Sequence, residues 1–129
     1  MEGPRSRARS RVEELAAAWL AGDYDTVSSA CTSDVRWWSP AADGTARGPA
    51  DTGTVLREVL APLERPVEIS AVIPSDDGTR CVVEMRSAAT PHDARPSFLT
   101  SVLTLRDGKV SEGRTYSDLR QAARRPEAS

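Results

Sequence analysis

Residues Arg11–Pro40 read RVEELAAAWLAGDYDTVSSACTSDVRWWSP, and their order decides the fold. Val12, Leu15, Ala16, Trp19 and Leu20 recur at helical spacing, so a helix is expected over Arg11–Ala21. Ser10, with Glu13 three residues on, has the form of a capping box, and Gly22 closes the helix. Asp23 caps a second, short helix over Tyr24–Cys31, and a tryptophan-rich strand follows at Asp34–Ser39. At the far end, Ser97–Ala123 read SFLTSVLTLRDGKVSEGRTYSDLRQAA: strands Phe98–Leu105 and Lys109–Tyr116 around an Asp107-Gly108 turn. Helices first and strands after imply a sheet curled around helices. Such a cone has one open mouth, a natural small-molecule pocket.

The middle of the chain fits this plan. Pro40–Pro49 reads as a loop, and Ala50–Pro62 as a third helix with Val55, Leu56, Val59 and Leu60 on one side. Pro62 and Pro66 bracket a turn. Val67–Ile73 alternates Val67, Ile69, Ala71 and Ile73 against Glu68 and Ser70, which buries one face. Ser75-Asp76-Asp77-Gly78 is a turn before a strand over Thr79–Ala88, and Thr90–Pro96 is a loop near the mouth or an edge. The expected organisation is a flexible basic arm over 1–10, one domain over 11–123 and a frayed tail over 124–129.

A chain of 129 residues fits one domain with a single core. Hydrophobic content of 39% with 28% charged residues marks it as globular. No apolar run approaches the roughly 18 residues of a membrane span. The net charge of −2 and pI near 5.4 argue against a nucleic-acid partner. MEGPRSRARSR has arginines but no apolar segment after them, so it is not a secretory signal. The expected compartment is the cytoplasm, with Cys31 and Cys81 as free buried thiols. The single histidine, His92, lacks partners for a histidine-type metal site. No metal is therefore expected, and the sequence has no Gly-rich phosphate loop and no Gly-x-Ser-x-Gly elbow.

Several residues are candidates for chemistry. On the strand bearing Glu84, alternation puts Val82, Glu84 and Arg86 on one face and Cys81, Val83 and Met85 on the other. If the first face lines the cone, Glu84 is a half-buried acid or base whose pKa burial raises and Arg86 lowers. The alternative is a Glu84–Arg86 ion pair on a solvated sheet surface. Trp37 and Trp38 are adjacent and point to opposite faces, one to the helices or cavity and the other to an outer face or dimer interface; either both are plain core packing, or one is a pocket wall that would suit a conjugated or polycyclic substrate. Trp19 belongs to the core stripe or to the floor of the cone. Thr100 and Thr115 are small hydroxyls able to orient a substrate carbonyl. Tyr116 is either a pocket hydroxyl or structural, and Asp118 either catalytic or a cap for the next turn. His92, in a proline-flanked loop, is either exposed or part of a lid, titrating near neutral pH.

AGDYDTV, the tryptophan strand ending in Ser39-Pro40, and DGKVSEGRTYSDL together resemble the nuclear transport factor 2-like superfamily. Within it the likeness is to SnoaL-like polyketide cyclases and limonene epoxide hydrolase, over about Arg11–Ala122. The resemblance implies an α+β cone, a strongly curved mixed sheet wrapped around three N-terminal helices (a cystatin-like fold). It also implies a deep pocket without cofactor, and a homodimer. Ketosteroid isomerase's tyrosine, aspartate base and protonated aspartic acid fall on Leu15, Ser39 and a residue near Ser101, none of which does those jobs. Of the epoxide hydrolase relay, one aspartate falls on Thr115, the other on Glu84 and the arginine on Val82, with Arg86 two residues on. Its water-holding pair falls near Arg36 and Trp38. The expected function is a cofactor-independent cyclase or isomerase acting on a hydrophobic, polyketide-like metabolite of secondary metabolism. The alternatives are a non-catalytic binder or accessory subunit, and an epoxide hydrolase with a rearranged relay through Glu84 and Asp118.

Overall fold

The computed structural model describes residues 3–39, 45–60, 67–87 and 98–117. The first helix, α1, spans Pro4–Ala21, starting before the expected Arg11. Proline is favoured in a first helical turn, and arginine is a good helix former. Arg9 pairs with Glu13 one turn on at 3.2 Å, Arg5 reaches Asp76 at 3.1 Å, and Ala8 is buried. The segment expected as an arm is thus helical from Pro4, and Ser10 lies inside the helix instead of capping it. At its end the Gly22 N–H donates to the Trp19 carbonyl at 3.1 Å and the Asp23 N–H to that of Ala18 at 2.9 Å. Asp23 then caps α2, Tyr24–Ser29, accepting from the Thr26 N–H at 3.2 Å and the Thr26 hydroxyl at 2.6 Å.

The strand β1 covers Cys31–Trp38, longer than expected. Part of the expected loop forms β2, Thr45–Arg47, which pairs antiparallel with β1 and sets Thr45 opposite Trp38. Three residues are too few for alternation to show in a sequence. The helix α3 runs over Gly48–Leu60, and the strands β3 Val67–Pro74, β4 Arg80–Ser87, β5 Phe98–Arg106 and β6 Lys109–Ser117 follow. The sheet has the order β2-β1-β6-β5-β4-β3, with β1 and β6 parallel and the other neighbours antiparallel. Helix α1 packs on β3 and β4, α3 on β1 and β2, and α2 against both helices. This is the expected α+β architecture, with the sheet open at β2 and β3. Among the described residues, no helix is long and apolar enough to cross a membrane.

One strand departs from its expected pattern. The register of β3 against β4 shifts between Ile69 and Ala71. An extra residue in a strand reverses the facing of those beyond it. Val72 and Pro74 are therefore buried, while Ile73 is 56% exposed. In the β3–β4 turn the Asp77 carboxylate accepts from the Thr79 N–H at 3.0 Å, the Thr79 hydroxyl at 2.7 Å and the Ser75 hydroxyl at 2.8 Å. These bonds, the Thr79 N–H foremost, hold its carboxyl at about 2. A depressed carboxyl adds stability above the ordinary carboxylate range and loses it as pH falls towards 2.

The core closes around two tryptophans. Trp19 and Trp37 meet edge to face, with centroids 6.2 Å apart and planes at 77°. The Trp19 indole N–H donates to the Leu56 carbonyl at 2.9 Å, tying α1 to α3. Trp37 lies over Gly113, its register partner on β6. A Cβ at Gly113 would stand 2.5 Å from Cδ2 of that indole, so a side chain there displaces the ring. Gly113→Ala should lower stability by about 1–3 kcal/mol. Urea denaturation followed by tryptophan fluorescence checks this, and an unchanged midpoint would mean that the ring is not confined.

Candidate functional site

Strand alternation sends two different chemistries to the two faces of the sheet. The face under the helices takes Cys81, Val83, Met85 and Ser87 from β4 and Leu99, Ser101, Leu103 and Leu105 from β5. It also takes Gly113 and Thr115 from β6, Val35 and Trp37 from β1, and Ser39 just beyond β1. Two of its polar residues, Ser101 and Thr115, are joined. In register, Val83 faces Ser101 and Ser101 faces Thr115. The Trp37 indole N–H donates to the Thr115 hydroxyl at 2.8 Å, and the Ser101 and Thr115 hydroxyls are 3.0 Å apart. Thr115 is fully buried and Ser101 nearly so.

Proton counting shows what this cluster can do. Each hydroxyl has one proton, and one of the two is spent on the Ser101–Thr115 bond. One O–H is left to donate, polarised by the chain of bonds behind it. The cluster is therefore a neutral donor held rigidly by Trp37, suited to a carbonyl or hydroxyl oxygen. It cannot act as a general base near neutral pH. Among the described residues, the other buried polar side chains are Ser39, Ser87 and Thr52, and the Thr52 hydroxyl on α3 has no hydrogen-bond partner there. Among the described residues, no Asp, Glu or His is buried. Cys31 and Cys81 are free and buried. Burial pushes both thiols up to about 11, with Arg9 opposing it weakly at Cys81. They are protonated at neutral pH and do not serve as nucleophiles.

The residues expected from the sequence divide between the faces. Trp19, Trp37 and Thr115 lie on the inner side. Glu84, Arg86, Thr100, Trp38 and Tyr116 lie on the open face, so of the two alternatives for the Glu84 strand face the sheet surface is the one found. The physical reason is burial: the apolar Cys81–Val83–Met85 phase is the one that meets α1. Glu84 is half-buried there and accepts from the Ser70 hydroxyl at 2.8 Å. Arg86 pairs with Glu68 at 3.0 Å, across the strands, and not with Glu84. Trp38 stacks at a tilt on Tyr116, with centroids 5.6 Å apart. His92 and Asp118 lie outside the described residues.

Residues 12–113 match the SnoaL-like domain. The chain belongs to the SnoaL-like domain family. No curated protein matches it. Solved structures show the same fold at low identity. A nuclear transport factor 2-like protein of unknown function from Burkholderia xenovorans LB400 is 20% identical, with a TM-score of 0.69 over 89% of this chain and 86% of that one. Bal32a, from a soil-derived mobile gene cassette, is 19% identical with a TM-score of 0.72 over 89% and 92%. An LEH-like epoxide hydrolase from M. tuberculosis is 22% identical with a TM-score of 0.66 over 93% and 84%.

In this SnoaL-like domain Ser87 and Thr52 are not among the site residues expected from the sequence, and Ser39 and Ser101 enter there only as slots of the resemblance. A signal was present: Ser101 is in phase with Leu99, Leu103 and Leu105, and Ser87 with Cys81, Val83 and Met85. A hydroxyl in the buried phase of a strand must find a partner inside. Among the described residues, no three His, Cys, Asp or Glu side chains are grouped to hold a metal ion. Thr115→Val should strand the Trp37 N–H and lower stability by about 1–3 kcal/mol, whereas Thr115→Ser retains most of it. Equal losses in urea denaturation of the two variants would show that the hydrogen bond contributes nothing.

Proposed function

We propose that this SnoaL-like protein binds a hydrophobic, oxygen-bearing metabolite of polyketide type against the inner face of its sheet, without acid–base chemistry from Glu84. The observation that carries this reading is the Trp37–Thr115–Ser101 chain, which leaves one buried O–H to donate amid apolar walls. Burying a polar donor in such surroundings is costly unless something accepts from it. Resemblance supports the same location: the carboxylate slots of two different enzymes fall near Ser101 and on Thr115, and these two residues are hydrogen-bonded neighbours here. Both carry hydroxyls in place of acids.

A second reading, a cofactor-independent cyclase or isomerase, is favoured by the same donor. A fixed O–H facing a carbonyl stabilises charge as it develops on oxygen. Holding a flexible substrate in a reactive shape adds to that. Epoxide opening through Glu84 and Asp118 is not favoured, because Glu84 and the buried hydroxyls are on opposite faces.

A thermal-shift screen with polycyclic aromatic ketones, followed by mass spectrometry of each hit, tests both readings. Hits should raise Tm, and Ser101→Ala should weaken them about tenfold, with Glu84→Gln unchanged. Unaltered hits support the binder, and ring-closed or isomerised products support the enzyme. Loss of binding in Glu84→Gln with Ser101→Ala unaffected would refute the inner-face site.

The proposed assembly is a homodimer through the open face. Ile73, Val82 and Val102 form one cross-strand apolar row there, and Ile73 is 56% exposed. Light scattering after size exclusion should give a dimer for the native chain and a monomer for Ile73→Lys. A native monomer would remove the proposal.

A further inference from the structure

The other end of the open face carries a different surface. On β1, Arg36 and Trp38 point outward; Arg47 and Thr45 face them from β2, and Glu112 and Arg114 from β6. These side chains line a cleft of about 210 Å³. Its charge is unbalanced. Glu112 is engaged by Arg114 at 3.6 Å, which neutralises that pair. Arg36 and Arg47 stand directly opposite each other, and neither has a carboxylate partner among the described residues. Like charges at directly opposed positions destabilise a strand pair. The whole chain carries a net charge of −2, so this surplus is local. Beside the two guanidinium groups the half-buried Trp38 ring is backed by Tyr116, which gives the cleft a flat apolar wall.

We propose that this cleft between β1, β2 and β6 is a subsite for a phosphate monoester carried on a planar ring. A phosphate monoester bears about −1.5 to −2 charges at neutral pH, which matches the two arginines that have no carboxylate partner among the described residues; a carboxylate bears half of that. Guanidinium groups bind phosphate oxygens with paired hydrogen bonds. The ring stacks on Trp38, and the Thr45 hydroxyl is placed to take a further oxygen. The ligand is distinct in chemistry and place from the apolar metabolite of the inner face.

Calorimetric titration of the full chain with phenyl phosphate, inorganic phosphate, benzoate and a nucleoside monophosphate tests the proposal. Phenyl phosphate should bind at least about tenfold more tightly than inorganic phosphate or benzoate, and binding should weaken with salt. Arg36→Gln and Arg47→Gln should each cost about tenfold, and Trp38→Ala should erase the advantage over inorganic phosphate. The nucleoside monophosphate binding as well as phenyl phosphate would identify a nucleotide as the source of the ring. Its failure, with phenyl phosphate bound, would identify a simple aryl phosphate. Arg80→Gln, on the same face but outside the cleft, should change nothing. The Arg36→Gln/Arg47→Gln double variant should melt no lower than the native chain, since it relieves a repulsion. Equal affinity for all ligands, no binding, or binding indifferent to Arg36 and Arg47 would overturn the proposal.

Discussion

The packing of Trp37 is the constraint on which the rest of the structure depends. The indole must be flat against the neighbouring strand to be buried, and the absence of a side chain at Gly113 permits that. Its edge then meets Trp19, and Trp19 holds the Leu56 carbonyl of α3. Its N–H needs a partner in the dry interior and finds Thr115. One side chain on β1 thereby couples the last strand, the first helix and the third helix. The parallel β1–β6 pairing is sealed by it, joining segments far apart in the chain.

The same contact shapes the inner surface. Because Thr115 accepts from Trp37, its hydroxyl is anchored, and Ser101 beside it completes a neutral donor pair. No carboxylate among the described residues shares that interior. The charged groups go to the open face, where Glu84 meets Ser70 and Arg86 meets Glu68. Exposed pairs of this kind contribute little to stability. The molecule thus keeps hydrogen-bond donation inside and charge outside, and the ligands proposed for its two faces differ accordingly.

Much of the fold was legible because periodicity is local. Val12, Leu15, Ala16 and Trp19 form a stripe, and all are buried. The Asp107-Gly108 turn and the hairpin around it stand where their residues place them. Alternation also separated Trp37 from Trp38 and Glu84 from Met85. It did not say which member of each pair lies under a helix, since a two-residue period defines two faces and names neither. Burial favours the fully apolar phase, Cys81–Val83–Met85, and that consideration outweighs the likeness of Glu84 to a catalytic carboxylate.

The amino-acid sequence by itself determined the elements other than β2, their order, the α+β class and the family, through apolar spacing and turn residues that act over a few positions. Only the tertiary structure decided the direction of each face, the bulge that turns Ile73 outward, the pairing of β2 with β1 and the meeting of Trp37, Thr115 and Ser101. Those depend on contacts between distant segments. Their energies come from shared burial and completed hydrogen bonds, which no single stretch of the chain contains.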